Sequence, residues 1–305
     1  MARRKSGRPL SGWVIIDKPS GMTSSAVVNK VRWSLDAQKA GHAGTLDPSA
    51  TGLLAIALGE ATKTVPYISE ALKAYEFDIA FGAATSTDDS DGEIIETSPN
   101  RPTDTALKDA LPAFTGEIMQ VPPRVSAVKL DGKRAYDLAR EGETFELNAR
   151  KLWVEELKVT KRDSADGATL QMVCGKGGYV RSVARDLGQS LGTCAHVTRL
   201  RRIWSGPFDL SMAHPLDKIV ELERAPELDA LVLPLELGLR DVAKVIIAQN
   251  EVHKTRNGNP TPVIYSNAEF GEEVWAACGD QPLGLGVYRS GHFHPKRIFQ
   301  SLFTD

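Results

Sequence analysis

Cysteine is scarce: Cys174, Cys194 and Cys278 are the only three in 305 residues, odd in number, far apart and in no metal-ligand spacing. That count argues against a disulfide framework and a cysteine-based zinc site, so the three read as free thiols of a reducing compartment. Long apolar runs are also missing, and nothing is long enough to span a membrane. The basic start, with Arg3, Arg4, Lys5 and Arg8, is not followed by the apolar segment of a signal peptide. The expected location is the cytoplasm. A strong charge of either sign is absent too, since 37 Lys and Arg against 39 Asp and Glu leave a net −2. Phosphate binding needs a local basic face, not a basic total. Lys176 to Arg202 holds six bases and one acid (+5), while Asp217 to Asp241 holds three bases and seven acids (−4). By itself such an asymmetry is equally what a solvated face looks like.

No nucleotide or metal motif stands out. Gly175 to Gly188 is glycine-rich and opens into a helical pattern, yet it lacks both P-loop spacing and the Gly-Lys-Ser/Thr ending. Asp88, Asp89, Asp91 and Glu93 form an acidic loop that could hold a hard cation, but the glutamate spacing of a calcium loop is missing. A solvated turn is the expectation there. Neither metal nor cofactor is expected.

What is present is an ordinary globular composition, 42% hydrophobic and 25% charged, in a chain longer than one usual domain. Residues 1–11 read as a disordered basic arm. Trp13 to Ile16 reads as a strand ending in a turn at Asp17–Gly21. Thr23 or Ser24 can cap a helix carrying Val27, Val28, Val31 and Leu35 on one face. A buried strand at Leu53–Leu58 and a helix over Thr62–Leu72, bent near Pro66, follow. Tyr75 to Gly82 alternates with period two, as a half-buried strand does. Further expectations are a short helix at Thr103–Leu111, a stretch over 119–129 that is punctuated by two prolines and then rebuilds strand character, and a basic helical segment at Gly132–Gly142. Leu152–Lys161 and Ala168–Cys174 read as paired strands, and His196–Arg202 as another. From Ala243 to Phe303, short alternating strands and turns such as Asn257-Gly258-Asn259-Pro260 suggest a small β domain.

The stretch that organises the chain is Gly41-His42-Ala43-Gly44-Thr45-Leu46-Asp47-Pro48-Ser49-Ala50-Thr51-Gly52-Leu53-Leu54. One carboxylate, Asp47, stands among small, apolar and glycine residues, with no basic side chain in the run to pair with it. Pro48 disfavours the helical region for Asp47, so the acid is presented from an extended or turned backbone. Locally that is either a turn residue or a reactive group, and Asp-Pro most often begins a turn.

The whole stretch resembles the catalytic motif of the TruB family, the bacterial tRNA pseudouridine-55 synthases, with every fixed position filled. Asp17-Lys18-Pro19-Ser20-Gly21-Met22-Thr23-Ser24 matches that family's N-terminal signature. Gly178-Tyr179-Val180-Arg181-Ser182 matches its Gly-Tyr-(apolar)-Arg-(Ser/Thr) motif, and His196-Val197 with Leu200-Arg201-Arg202 matches a third. The resemblance covers nearly the whole chain in the correct order. It implies that Asp47 is the catalytic nucleophile, acting on a flipped-out base, and that Arg181 pairs with it. It also implies that Tyr75 stacks on the target uracil, that Tyr179 and Leu200 line the pocket, and that His42 inserts into the tRNA loop. The implied fold is α+β, a pseudouridine synthase domain (1–240) with a largely antiparallel mixed sheet flanked by helices and a thumb-like insert at about 120–150. A small β-rich, PUA-like RNA-binding domain (241–305) completes it. The implied partner is the T-arm of tRNA, met by a monomer that needs no protein partner and no cofactor.

Conversion of uridine to pseudouridine breaks the N1–C1′ bond, turns the base and rejoins it through C5, so nothing is oxidised and no group is imported. One carboxylate can attack sugar or base, or stabilise positive charge at C1′. Taken singly, Tyr75 and Leu200 would be core residues and Arg181 a surface ion pair of little worth. Three other readings are a guide-RNA-dependent relative, a non-catalytic RNA chaperone and an Asp-dependent hydrolase. The last lacks a second acid at a recognisable position.

Overall fold

In the computed structural model, which describes residues 7–130 and 132–302, the apolar and period-two runs become strands. β1 (Gly12–Lys18) carries the buried Trp13–Ile16 run. In α1 (Ser24–Ser34) the Thr23 hydroxyl accepts the Ala26 N–H as an N-cap, and Val27, Val28 and Val31 fall on the buried face. β2 (Ala40–His42) and β3 (Thr51–Leu58) flank the Asp47 loop. A 3-10 turn at Gly59–Lys63 leads to α2 (Val65–Glu70). Pro66 lies in the first turn of α2, where a missing N–H breaks no helical bond, so the single bent helix expected over Thr62–Leu72 is two short pieces instead. After β4 (Lys73–Phe81), a small hairpin of β5 (Ala83–Thr85) and β6 (Ile94–Thr97) encloses the acidic loop.

Thr103 caps α3 (Asp104–Ala110), and β7 (Gly116–Gln120) follows. The strand stops at Gln120, just before Pro122 and Pro123 remove two ladder donors, and the strand character expected to rebuild after them returns only at Lys129. The next pieces are β8 (Lys129–Leu130), β9 (Lys133–Arg134) and α4 (Ala135–Arg140). A long hairpin of β10 (Arg150–Ser164) and β11 (Gly167–Cys174) precedes α5 (Val180–Ser190) and β12 (Ala195–Ser205). Then come β13 (Phe208–Asp209), β14 (His214–Pro215) and α6 (Leu216–Glu221). The last elements are β15 (Ala243–Ile247), α7 (Val252–Arg256), β16 (Thr261–Ser266), β17 (Glu273–Cys278), β18 (Gln281–Arg289) and β19 (His292–Ile298).

Two compact units emerge. The unit made of Asp47–Leu53 and Glu70–Ser205 is built on a mixed, mainly antiparallel sheet. β4 lies between β12 and β11; β10 and then β7 continue from β11, all antiparallel. The start of β3 joins β12 in parallel, pairing Thr51 with Arg201 and Gly52 with Arg202. Period two puts Phe77, Ile79, Leu170 and Met172 in the interior, each contributing roughly 1.5–3 kcal/mol by leaving water.

The other unit runs up to Leu46, over Leu54–Ser69 and from Gly206 onward. In it β1 pairs with β14 in parallel and β2 with β3 antiparallel. Val14, Ile16, Val27, Val31, Ile56 and Ile219 share one core. The last five strands close into a barrel, in the order β15-β16-β19-β18-β17, around Val245, Val274, Leu283 and Phe293. The fold is thus mixed α and β with a β-rich C-terminal part, as the sequence implies. The basic arm up to residue 6 lies outside the described residues. Residues 7–11 are not the disordered arm expected, since the Arg8 N–H donates to the Asp36 carbonyl and its guanidinium bonds Asp229 at 2.5 Å.

Candidate active site

Asp47 owes its position to fixed backbone on both sides. The buried Ser24 hydroxyl bonds the Leu46 N–H (2.9 Å) and the Leu46 carbonyl (3.0 Å), pinning the peptide just before the acid. After it, the Ala50 N–H donates to the Asp47 carbonyl at 3.2 Å, which closes a turn with Pro48 at its second position. Thr51 Oγ1 then donates to the Leu200 carbonyl at 3.4 Å. Gly52 has φ +95°, and a Cβ there would lie 2.2 Å from the Arg202 carbonyl oxygen. Only glycine lets β3 lie this close to β12 in that conformation.

Arg181 enters from the first turn of α5 and is 4% exposed. One guanidinium nitrogen lies 2.9 Å from Asp47 Oδ2 and donates to the Val125 carbonyl at 2.9 Å. The other lies 3.4 Å from Asp89 Oδ2 and donates to the Thr87 carbonyl at 2.9 Å. Four acceptors therefore fix one planar fork, a geometry that suits arginine and that lysine cannot reproduce. The Asp47 carboxyl is pushed above the usual carboxylate range: burial is the main cause, and the nearby Asp89 charge adds to it. Arg181 opposes both through charge and hydrogen bonding.

The acidic loop is only in part the solvated turn expected: Asp91 and Glu93 are exposed, but Asp88 and Asp89 are not. Asp89 Oδ1 accepts from Thr87 Oγ1 and from the Asp91 N–H, and the Thr85 hydroxyl bonds the Asp89 carbonyl at 2.6 Å. Asp88 adopts φ +60°, uncommon for a residue with a side chain. Its carbonyl accepts from the Val197 N–H at 3.0 Å and its carboxylate from Arg185 at 2.9 Å. Two arginines on successive turns of α5 thus organise the loop from within. An acid-rich stretch of small residues gives no hint of this, because the partners lie about 95 residues downstream.

An open cleft adjoins the pair, lined in part by Asp47, Asp89, Arg181, Arg199 and Leu200. Arg199 is held there by Glu76 (2.8 Å) and Asp78 (2.6 Å). Tyr75 and Tyr179 do not line that cleft, but both phenols respond to the Asp47 charge. Each is pushed above the usual tyrosine range, first by burial and further by Asp47. Arg202 opposes this at Tyr75, and a Ser126 hydrogen bond opposes it at Tyr179. Gln120 clamps the Tyr179 backbone with both ends of its amide, accepting the N–H at 2.9 Å and donating to the carbonyl at 3.1 Å. His42 lies in β2, opposite Ile56, and belongs to the other unit. No group of three or more His, Cys, Asp or Glu among the described residues is placed to hold a metal.

A carboxylate and a buried arginine thus meet at the edge of a cleft in the unit built on the mainly antiparallel sheet. The overall fold is shared with a solved structure of an H/ACA RNP bound to a substrate RNA containing 2′-deoxyuridine. There the TM-score is 0.75 at 22% identity, over 100% of this chain and 93% of that one. Residues 32–180 match the TruB family pseudouridylate synthase N-terminal domain, and residues 181–240 match the tRNA pseudouridylate synthase B C-terminal domain. A protein of Ruegeria pomeroyi called tRNA pseudouridine synthase B is 58% identical over 98% of this chain and 99% of its own length. One of the same name from Agrobacterium fabrum is 43% identical over 97% of each. The chain belongs to the TruB family of pseudouridylate synthases, which are isomerases.

Proposed function

We propose that this protein isomerises uridine 55 in the T-arm loop of tRNA to pseudouridine, with Asp47 as the catalytic carboxylate, the nucleophile on an everted base, and without a cofactor. The single observation that carries this is the Asp47–Arg181 contact at 2.9 Å, beside a cleft, from two motifs 134 residues apart. The substrate is proposed from the names of the full-length relatives.

The reaction breaks N1–C1′, forms C5–C1′, releases the C5 proton and places a proton on N1. Asp47 serves as nucleophile or as counter-charge at C1′ in its ionised form, while burial favours the neutral acid. Arg181 is the permanent cation that offsets burial, and Asp89, with the carbonyls of Thr87 and Val125, holds that cation in place. Tyr75, Tyr179 and Leu200 wall the base and keep water from intercepting it. Everting a base loses a few kcal/mol of stacking. Stacking on Tyr75 returns about 1–3 kcal/mol, and His42 fills the space that the base leaves. The basic segment around α4 closes on the RNA and the C-terminal barrel adds RNA contacts. The enzyme works in the cytoplasm as a monomer.

The test uses purified protein alone and an unmodified tRNA transcript carrying 5-tritiated uridine, because only isomerisation at C5 frees tritium. Wild-type protein releases it and Asp47→Asn does not. Release by a folded Asp47→Asn protein would falsify the assignment of the acid. A requirement for an added guide RNA would overturn the stand-alone reading.

A further inference from the structure

Beneath the proposed stacking tyrosine lies a charged side chain that the chemistry above does not use. Arg202 is 1% exposed, one of the largest fully buried side chains among the described residues. In the antiparallel β12–β4 pairing it stands directly opposite Tyr75, so the two side chains share one face of the sheet. Burial pushes the Tyr75 phenol up, and the charge and hydrogen bonding of Arg202 pull it back down. From the same side chain, Nε donates to the Leu53 carbonyl at 2.8 Å. Arg202 also stands beside Gly52 in the parallel β12–β3 pairing, where the two backbones meet most closely. One buried cation therefore joins three pieces of backbone: its own strand, the strand bearing the tyrosine and the strand that leaves the Asp47 turn. Burying a charge costs several kcal/mol unless hydrogen bonds satisfy it, so an apolar side chain would be the cheaper filler for the core.

We propose that Arg202 is a positioning residue for the isomerisation, which sets the spacing and tilt of the Tyr75 ring relative to Asp47 by holding the Tyr75 hydroxyl and the Leu53 carbonyl together. The proposal rests on the assignment of Tyr75 as the face on which the base stacks. Arg202 does not touch the substrate; it acts through the phenol oxygen. Ring placement matters most when the base is detached, so the effect falls on kcat more than on KM.

The experiment is a double-mutant cycle by tritium release from tRNA, with wild type, Arg202→Met, Tyr75→Phe and Arg202→Met/Tyr75→Phe. Tyr75→Phe keeps the ring and removes the oxygen through which Arg202 acts. Arg202→Met is expected to lower kcat at least tenfold in the wild-type background, with KM changed by less than threefold. In the Tyr75→Phe background the same substitution is expected to lower kcat by less than threefold further. Arg202→Lys, which keeps a cation within reach of the phenol, is expected to recover part of the loss, and it replaces Arg202→Met in the cycle if the methionine protein does not fold. Losses that multiply across the two backgrounds, or a loss confined to KM, overturn the proposal. A wild-type protein that releases no tritium defeats the isomerase reading of the site instead, so the two failures are told apart.

Discussion

Replacing Arg181 by methionine is the perturbation that separates electrostatics from RNA binding. Methionine removes the cation and four contacts at 2.9–3.4 Å while keeping a long unbranched side chain. Breaking a buried ion pair from one side costs about 3–5 kcal/mol when both charges are fully enclosed. Here the Asp47 side chain is 38% exposed and the Asp89 side chain 13% exposed, so water takes up part of the loss at Asp47. A cost of about 2–4 kcal/mol results, a fall in Tm of roughly 4–8 °C at about 2 °C per kcal/mol. The sign of the catalytic effect follows from the same contacts. Burial and Asp89 push the Asp47 carboxyl up and Arg181 pulls it down, so removing Arg181 lifts it further. An acid that must be ionised then loses activity at a higher pH than before. The acid limb of the pH–rate profile for tritium release is expected to move to higher pH in Arg181→Met. In Arg181→Lys it moves less, because charge remains while the fork that reaches Thr87 and Val125 is lost. Tm and tRNA affinity are measured alongside. A folded Arg181→Met protein with an unmoved acid limb and weakened RNA binding would refute the electrostatic role.

Asp89→Asn removes a negative neighbour of Asp47 and one tether of Arg181, so the acid limb should shift to lower pH while the plateau kcat falls; the same titration reads both. Gly52→Ala places a Cβ at φ +95° within 2.2 Å of the Arg202 carbonyl. It should lower stability by about 2 kcal/mol or more in chemical denaturation. Lys73, buried and lowered to about 8 by burial and by Arg202, sheds its proton more easily folded than unfolded. Stability therefore rises as pH climbs from about 8 towards 10.5. Lys73→Met should gain about 2–3 kcal/mol over wild type at pH 7 and lose that advantage near pH 10.5, as paired denaturation curves would show. His42→Ala should slow turnover on whole tRNA without abolishing it, and complete inactivity in a folded protein would point to a directly chemical role.

Much of the architecture could be read locally because strands such as β4 and β11 are half-buried and α1 and α3 have visible caps. Phe77 and Ile79 alternate with Glu76 and Asp78 along β4, and Thr103 announces α3. Barrel closure could not be read, since it depends on β15 pairing in parallel with β17 across the intervening β16. Local alternation carries no information about such pairings.

The site divides along the same physical line. Asp47 is visible because proline and glycine restrict its backbone, and backbone restriction is written locally in the sequence. The groups that surround this acid are long-range in sequence. Asp89 reads as surface charge until Arg181 arrives from α5, and Arg202 reads as one more base in a basic strand until Tyr75 is placed opposite it. Both arginines are nearly enclosed, whereas the basic run that contains them suggests solvent. Local composition therefore misjudges charged residues where they matter most, because a buried charge is stable only with partners elsewhere in the chain. The two carboxylates facing Arg181 also follow from this. A lone Asp47–Arg181 pair would leave two of the guanidinium's four acceptor directions to backbone carbonyls and one unfilled; Asp89 fills it, at the cost of making Asp47 harder to ionise. The arrangement couples a harder-to-ionise Asp47 to a guanidinium held by four acceptors.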